Sequence, residues 1–296
     1  DSTRIIAAYR DGTAAIWDVN TLQQCAFLPQ QSDALNFASW SPDGTRVVTA
    51  CHNGSVTVWN ANAGLALLAL RGHSDSVVSA KFDTQGKQIV TASVDRSVRV
   101  WDADSGKPLT TFNQHNDIPN FATFSPDGTR VIVPTPGGVT LWDAVTGGPV
   151  YPPYEGEGPC NQASFSADGS KALSVHQNGA VCVWEFGPWG ARPGPKHRHR
   201  VTALYGAFSP DGRQVVSVAE DAAAFIWDPR TGETLAPPLR HESQLRLAHA
   251  LYSPDGRFLI TVSFDNSVRV WDARTGTEVS RFIGHRRGVT VARWSP

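Results

Sequence analysis

Short runs of alternating apolar and polar residues recur along the chain, and turns rich in Gly, Pro, Asp and Asn separate them. Residues 97–102 alternate with a period of two, which is typical of a half-buried β-strand. Ser-Pro-Asp-Gly recurs at residues 41–44, 125–128, 209–212 and 253–256. It is a tight-turn sequence, because Pro presets φ and Gly accepts an unusual dihedral. Two further turns follow in each repeat, so the pattern predicts four strands per repeat.

Seven tryptophans mark the period of this pattern. Each stands 41 to 44 residues before the next: Trp17, Trp59, Trp101, Trp142, Trp184, Trp227 and Trp271. A period of about 40–45 residues is that of a β-propeller blade. Counting on from Trp271 through the C-terminus to Trp17 gives one more step, of 42 residues. A period that closes on itself predicts a ring rather than an open array.

The two ends of the chain support closure independently. Residues 294–296 followed by residues 1–6 spell Trp-Ser-Pro-Asp-Ser-Thr-Arg-Ile-Ile, almost the Trp-Ser-Pro-Asp-Gly-Thr-Arg-Val-Val of residues 40–48. We therefore predict an all-β fold, a closed seven-bladed β-propeller with four antiparallel strands per blade and one blade shared between the N- and C-terminal segments. The single domain, residues 1–296, divides into a blade closed by about 285–296 with 1–28 and six blades at about 29–70, 71–113, 114–154, 155–197, 198–240 and 241–284.

Two kinds of residue pair recur in the repeats. Five tryptophans directly precede an Asp: Trp17, Trp101, Trp142, Trp227 and Trp271. Gly-His pairs stand at residues 72–73 and 284–285. With these motifs in register, the whole chain resembles the WD40 family. The resemblance implies a propeller whose loops bind partner proteins. It also implies, in each blade, a hydrogen-bonded chain of His, a Ser or Thr, Asp and Trp.

Buried polar groups need partners, so this chain should stabilise each blade. We place its Asp six residues, and its hydroxyl eight residues, before the Trp. On this spacing one set is complete: His73, Ser93, Asp95 and Trp101. The last repeat supplies three members: Ser263, Asp265 and Trp271. Its His241 is two positions out of register, and the other repeats lack members. Ser, His and Asp also suit a catalytic triad, but their repetition around the ring favours a structural role.

Charge and composition bear on the class of partner. The chain has 26 basic and 27 acidic residues, which gives no electrostatic reason to expect nucleic acid or an anionic membrane. No apolar run is long enough to span a bilayer, and nothing at the start is typical of a signal peptide. The chain begins with Asp and contains no Met, so we expect it to be a domain of a longer protein.

The four cysteines indicate neither a disulfide framework nor a metal site. Cys25, Cys51, Cys160 and Cys182 fall at different phases of different repeats and form no Cys-x-x-Cys pair. A zinc site needs clustered ligands. We interpret the four as small buried residues in a reducing compartment, and we expect no metal and no cofactor.

Recognition on such a scaffold belongs to its loops. The resemblance implies that partners dock on the face that carries the turns between second and third strands and the starts of the first strands. Nine residues are candidates for this face: Arg10, Asn36, His52, Asn120, Asn161, Gln177, Glu220, Arg246 and Phe264. Phe264 and Arg246 are of the types enriched at binding hot spots. The alternative is that these turn positions are polar because water surrounds them.

Residues 187–200 form a basic stretch rich in Pro and Gly. Three interpretations are open: a site for an acidic partner, a metal site at His197 and His199, or an outer fourth strand with the loop beyond it. The segment lengthens its repeat by a single residue and Pro is tolerated on outer edges, so the third is favoured. The prolines at 237–238 resemble those of bacterial WD40 arrays, which are often joined to kinase, NTPase or protease-like signalling domains.

These observations predict a non-catalytic interaction scaffold or sensor module of a larger bacterial, cytoplasmic signalling protein. The ring should be monomeric, covalently linked to other domains, and bind a protein or peptide rather than nucleic acid or membrane. The alternative is a propeller that binds a small molecule or acts as an enzyme at its central channel. The sequence offers no clustered carboxylates or Gly-rich phosphate loop for it. A third possibility is a purely structural spacer.

Overall fold

The computed structural model describes residues 4–18, 21, 23–29, 31, 33–112, 117–154, 157–187, 190–241 and 245–283. The regular structure of these residues consists of antiparallel β-strands. Within these ranges, no helix is long and apolar enough to cross a membrane. The chain forms two compact units. One consists of residues 1–136 with 140–152, and the other of residues 137–139 with 153–296.

The strands form seven sheets, and in each sheet the strands lie side by side in chain order. The first sheet has three described strands: β1 (Arg4–Ala8), β2 (Ala14–Asp18) and β3 (Gln24–Leu28). The second has four: β4 (Leu35–Trp40), β5 (Arg46–Cys51), β6 (Val56–Asn60) and β7 (Ala66–Leu70). The third has four: β8 (Val77–Phe82), β9 (Gln88–Ser93), β10 (Val98–Asp102) and β11 (Pro108–Phe112).

The remaining four sheets each have four strands. The fourth sheet has β12 (Thr123–Phe124), β13 (Arg130–Thr135), β14 (Gly138–Asp143) and β15 (Pro149–Tyr154). The fifth has β16 (Cys160–Phe165), β17 (Lys171–His176), β18 (Ala180–Gly187) and β19 (Gly190–Arg198). The sixth has β20 (Ala203–Phe208), β21 (Val215–Ala219), β22 (Ala223–Trp227) and β23 (Leu239–Arg240). The seventh has β24 (Leu247–Tyr252), β25 (Phe258–Ser263), β26 (Ser267–Asp272) and β27 (Glu278–Ile283).

The all-β prediction and the four-strand repeat are thus confirmed for the described residues. The strand expected at residues 289–294, which would complete the first sheet, lies outside them, as does all of 284–296. Closure of a single ring stays a prediction. The Pro-rich segment 187–200 supplies β19, the outermost strand of the fifth sheet, so the outer-strand interpretation is confirmed.

Second strands are buried along nearly their whole length because both their faces are covered. In β9 and β25 every residue after the first is buried. First strands pack beside one another within each unit, β1 with β4 and β4 with β8 in one, and β16 with β20 and β20 with β24 in the other. The repeat tryptophans close the apolar layers between sheets, and Trp101 and Trp227 are fully buried. Burying such large side chains supplies much of the hydrophobic stabilisation.

Two turn glycines show how neighbouring sheets meet. Gly54, with φ of 86°, joins β5 to β6, and a Cβ there would lie 2.9 Å from the carbonyl oxygen of Asp75. Gly64, with φ of 66°, precedes β7, and a Cβ there would lie 2.5 Å from the carbonyl oxygen of Phe27 in β3. Both positions therefore require glycine for two reasons: the left-handed backbone conformation and the close approach of another segment of main chain.

Three of the four cysteines are buried, as the sequence suggested, but Cys25 is exposed. It lies on β3, the last described strand of its sheet, where alternate residues face water. All four are free thiols, and burial raises the pKa of Cys160 and of Cys182 to about 12. These two thiols are therefore held in the protonated, unreactive form.

Candidate functional site

A chain of buried polar groups lies behind Trp101 in the third sheet. The indole N–H of Trp101 donates to Thr91 Oγ1 at 2.9 Å. His73 Nε2 lies 2.7 Å from the same hydroxyl, and His73 Nδ1 lies 2.8 Å from Asp95 Oδ2. A carboxylate can only accept, so Nδ1 carries the proton and the Thr91 hydroxyl donates to Nε2. Every member is thereby satisfied.

The hydroxyl predicted for this chain, Ser93, is not part of it. Ser93 Oγ donates to the carbonyl oxygens of Asp75 and Ser76 at 3.0 and 2.9 Å, and accepts the backbone N–H of Asp95. The hydroxyl of the chain stands ten residues before the Trp, not eight. This arrangement gives Ser93 no base to activate it, which argues against a catalytic triad.

The seventh sheet repeats the arrangement. Trp271 Nε1 donates to Thr261 Oγ1 at 2.8 Å, and His241 lies 2.8 Å from Thr261 Oγ1 and 3.1 Å from Asp265 Oδ2. Thr261 thus takes the place predicted for Ser263, whose hydroxyl accepts the backbone N–H of Asp265. His241 is a full member despite its shifted position in the sequence. The sequence predicted a complete polar chain in the third sheet alone. The seventh sheet has a complete chain as well, so that prediction was wrong.

A serine missed by the sequence analysis ties each Asp to its His. Ser97 stands four residues before Trp101, donates to Asp95 Oδ1 at 2.6 Å and lies 3.2 Å from His73 Nδ1. Ser267 holds the same place before Trp271, at 2.6 Å from Asp265 Oδ1 and 3.0 Å from His241 Nδ1. The repeated Ser at this spacing was the signal that could have revealed it.

In four of the remaining sheets the indole N–H of the repeat Trp also donates to a hydroxyl. In three of them the acceptor is again the hydroxyl ten residues earlier: Thr49 for Trp59, Ser174 for Trp184 and Ser217 for Trp227. In the fourth sheet Trp142 donates to Thr140, two residues before it. His176 supplies the imidazole of the fifth sheet from β17 itself, 2.9 Å from Ser174 Oγ.

Burial dominates the electrostatics of these histidines. It lowers the pKa of His73 and of His241, although the neighbouring carboxylates act in the opposite sense. Burial raises the pKa of Asp95, but hydrogen bonds from Ser97 and His73 outweigh it and bring the pKa to about 2. The pair therefore rests as neutral imidazole and carboxylate. The polar atoms of this His–Asp pair are buried and already hydrogen-bonded. The pair therefore stabilises the sheet and has no free atom to offer a substrate.

In the first unit the structure brings together three of the predicted face residues. Arg10, Asn36 and His52 are exposed and line, with Ala34 and Leu35, a depression of about 440 Å³. Asn36 Nδ2 donates to Ser76 Oγ and to the carbonyl oxygen of Val77, both at 2.9 Å. His52 Nδ1 lies 3.2 Å from the same Ser76 hydroxyl. Asn36 is therefore partly a structural bridge from β4 to β8.

In the second unit the predicted residues form two small groups. Arg246 stacks over the Phe264 ring with its guanidinium carbon 4.4 Å from the centroid, and lies 3.9 Å from Glu220 Oε1. Asn161 donates to the carbonyl oxygen of Ala203 at 2.9 Å and accepts from Gln177 at 3.2 Å. Asn161 thus bridges β16 to β20 as Asn36 bridges β4 to β8. The predicted residues of this unit thus form two separate groups: Arg246 with Phe264 and Glu220, and Asn161 with Gln177.

Asn120, the ninth candidate, is exposed, and its backbone N–H donates to the carbonyl oxygen of Pro134 at 3.0 Å. Glu157, which the sequence analysis missed, accepts from Lys196, Arg198 and Asn178 and is buried. The hydrogen bonds from Lys196 and Asn178, together with the positive charges of Lys196 and Arg198, lower the pKa of Glu157 to about 2. Across the described ranges, no group of three His, Cys, Asp or Glu side chains could hold a metal ion.

Comparison with known proteins supports this description. The family model described as WD domain, G-beta repeat matches residues 22–60, 65–102, 194–228 and 240–272. No curated protein matches the chain in sequence. The crystal structure of the computationally designed Ika8 protein is similar with a TM-score of 0.86 and 22% identity, over 100% of this chain and 89% of that chain. The C-terminal WD40 domain of Sif2 is similar with a TM-score of 0.77 and 20% identity, over 92% and 78%. At such identities the likeness establishes the β-propeller fold alone.

Proposed function

Because this chain belongs to the WD40-repeat family, we propose that it is a non-catalytic interaction scaffold or sensor that binds a protein or peptide through its candidate face. Domains of this family generally serve as protein-interaction scaffolds. The finer proposal concerns the site. Each unit carries a candidate site of its own: the cluster of Glu220, Arg246 and Phe264 in the second unit, and the depression lined by Arg10, Asn36 and His52 in the first.

The observation that carries the proposal is the stacking of Arg246 on Phe264. A guanidinium held over a half-buried ring is already ordered, so a partner that packs on it loses less side-chain entropy. Arg and aromatic residues dominate binding hot spots. The depression at Arg10 and His52 supports the same conclusion, since about 440 Å³ lies within the usual range for pockets, roughly 300–1,000 Å³.

The wider context is also a proposal. We infer one closed, monomeric ring of seven blades, linked to other domains of a bacterial cytoplasmic signalling protein. The tryptophan period that closes across the termini supports the ring, and the near-neutral charge supports a protein rather than a nucleic-acid partner. The prolines at 237–238, which directly precede β23, support the bacterial assignment through their resemblance to bacterial arrays.

The test begins with a photo-cross-linking residue placed at Phe264, and at exposed Leu109 as a control, in the full-length protein. The cross-linked partner is then purified and its affinity measured. We expect Arg246→Ala and Phe264→Ala each to weaken binding about tenfold or more, the effect of losing a hot spot. The matched control is Arg192→Ala, an exposed arginine on β19, which should leave the affinity unchanged. Equal effects of Arg246→Ala and Arg192→Ala would remove this face from the interface.

A further inference from the structure

Arginines join the turns of neighbouring sheets in the first unit. Arg46, the first residue of β5, donates to the carbonyl oxygens of Gly86 and Ala103 at 2.6 and 2.8 Å, and to Asp104 Oδ1 at 2.9 Å. Arg4, the first residue of β1, donates to the carbonyl oxygen of Gly44 at 2.9 Å and to Asn62 Oδ1 at 2.7 Å. Each guanidinium therefore fills the space between two turns.

The sixth sheet has no such arginine. Val47 pairs with Trp59 and Val215 pairs with Trp227, so Gln214 is the counterpart of Arg46. Its amide makes no side-chain hydrogen bond within the described residues. Gln88 takes this position in the third sheet, but there Thr84 Oγ1 joins the turns by donating to the carbonyl oxygen of Pro126. The counterpart of Thr84 in the sixth sheet is Pro210, which has no donor.

A cavity of about 590 Å³ occupies this place in the second unit. Gly256 and Ala273, which line it, correspond to Gly86 and Ala103, since Ala273 N donates to Arg257 O as Ala103 N donates to Lys87 O. In the described part of the chain neither Gly256 O nor Ala273 O accepts a hydrogen bond. The cavity thus offers the two carbonyl acceptors that a guanidinium uses in the first unit.

One of the charges beside the cavity is opposite to its counterpart beside Arg46. Arg274 stands where Asp104 pairs with Arg46, and over the described ranges it makes no ion pair through its side chain. The other charged residues of the lining are Asp211, Arg213, Asp255, Arg257 and Asp272. Hydrogen bonds within their turns, from Ser209, Ser253 and Thr275 respectively, lower the pKa of the three aspartates. The ionised aspartates balance the three arginines, so the cavity does not repel a cation.

We propose that this cavity binds an arginine side chain of a partner protein, together with an acidic residue beside that arginine. The guanidinium takes the place of Arg46 and donates to the carbonyl oxygens of Gly256 and Ala273. The carboxylate of the acidic residue beside that arginine pairs with Arg274. Within the chain, Arg46 pairs with an acid, Asp104; here the chain supplies the arginine and the partner supplies the acid. Lysine is excluded, because an ammonium lacks the planar fork that spans two fixed acceptors. This site is separate from the face that carries Arg246 and Phe264.

The test titrates the labelled protein with the acetylated, amidated peptide Ala-Arg-Asp-Ala and follows backbone amide chemical shifts. We expect shifts at Gly256, Ala273 and Arg274. The Ala-Lys-Asp-Ala and Ala-Arg-Asn-Ala peptides should each bind at least about fivefold more weakly, the loss of one charge-assisted contact. The Phe264→Ala variant should bind the first peptide normally, so this test is independent of the proposed interaction face. Equal affinities of the Arg and Lys peptides would overturn the proposal.

A substitution that supplies the missing arginine gives a second, independent readout. Gln214→Arg should fill the cavity from within the chain, abolish peptide binding and raise the melting temperature. Arg274→Asp leaves the cavity open, and should remove the advantage of Ala-Arg-Asp-Ala over Ala-Arg-Asn-Ala. Undiminished binding to Gln214→Arg would refute the site. If that variant fails to fold, the Arg274→Asp comparison decides, and an unchanged peptide preference refutes the site.

Discussion

The third and sixth sheets bury the same imidazole–hydroxyl–indole line but differ in what holds the imidazole. In the third sheet Asp95 and Ser97 bind His73. In the sixth, His199 lies 2.8 Å from Ser217 Oγ, and its other ring nitrogen is buried without a hydrogen-bond partner among the described residues. Asp221 is present at the right spacing, yet among the described residues its carboxylate accepts only the backbone N–H of Ala223, at 3.4 Å.

The difference teaches that an acid at the right position is not sufficient. Ala223 stands four residues before Trp227, where the third and seventh sheets have Ser97 and Ser267. Without that hydroxyl, nothing draws the Asp221 carboxylate toward His199. The ring of His199 packs instead against His197 and Phe225, with centroids 5.2 and 5.1 Å away. The serine, not the acid, decides whether the polar chain is complete.

Removing the shared hydroxyl should have the largest effect. Thr91→Val strands two buried groups, the Trp101 indole N–H and His73 Nε2, at about 1–3 kcal/mol each. A double-mutant cycle with Trp101→Phe should show a coupling of about 1 kcal/mol for Thr91 and none for Ser93. Equal couplings would restore Ser93 to the chain.

Removing the Asp of the polar chain should lower the free energy of unfolding less than removing the hydroxyl does. It should do so only in a sheet where the Asp binds the His. We expect Asp95→Ala to lower the free energy of unfolding by about 1–3 kcal/mol, because it leaves His73 Nδ1 and the Ser97 hydroxyl without their acceptor. Asp221→Ala, the matched change in the sixth sheet, should shift the urea midpoint little, as should Asn53→Ala in the second. If the three midpoints shift alike, the two sheets do not differ in the way described.

Acid should affect the sixth sheet through His199. Burial lowers the pKa of His199 to about 3 from its ordinary value of 6.5. Below pH 6.5 the unfolded chain takes up a proton that the folded chain refuses, so stability is complete above 6.5 and falls as the pH drops toward 3. The loss from this group at pH 5.5 should be about 1 kcal/mol. Urea midpoints at pH 7.5 and 5.5 should therefore draw closer together in His199→Gln than in the original protein; an unchanged gap would contradict the assignment.

Adding the serine should have the smallest effect and the most direct bearing on the comparison. Ala223→Ser is expected to bridge Asp221 to His199 as Ser97 bridges Asp95 to His73, for a gain of about 0.5–1.5 kcal/mol. It should also raise the pKa of His199, which titration of the ring by NMR measures directly. The control is Thr13→Ser, which keeps a hydroxyl at the half-buried residue four positions before Trp17, where Thr13 donates to Asp11. A pKa of His199 that does not rise would show that the hydroxyl is not the missing link.

The order of strands and turns could be predicted from the sequence because each repeat carries its own turn chemistry and its own Trp. The hydroxyl of the polar chain could not, because side chains alternate along a strand and residues 91 and 93 point to the same face. Spacing alone cannot choose between two hydroxyls on one face. His241 was misjudged for another reason, since its distance from the next turn depends on the number of residues between it and β24 rather than on the strand period.

The candidate sites were predictable to different degrees. Loop position was enough to propose Arg246 and Phe264 for one face, but not their stacking, which depends on the path of two separate loops. The arginines between turns were visible as a signal that the sequence analysis did not use. Arg4 and Arg46 recur at one register where Gln214 stands in the sixth repeat. The cavity lies where this register carries Gln214 and where no residue of the turn replaces the missing donor, as Thr84 does beside Gln88.

The turn glycines have a consequence for how repeats can be exchanged. Gly54 approaches the main-chain oxygen of Asp75, as Gly12 approaches that of Asp33 and Gly179 that of Val201, so this contact between sheets does not depend on the side chains of the neighbouring repeat. A transplanted repeat that keeps this glycine therefore makes the same contact with a new neighbour. An engineer can thus exchange repeats without redesigning this part of the junction.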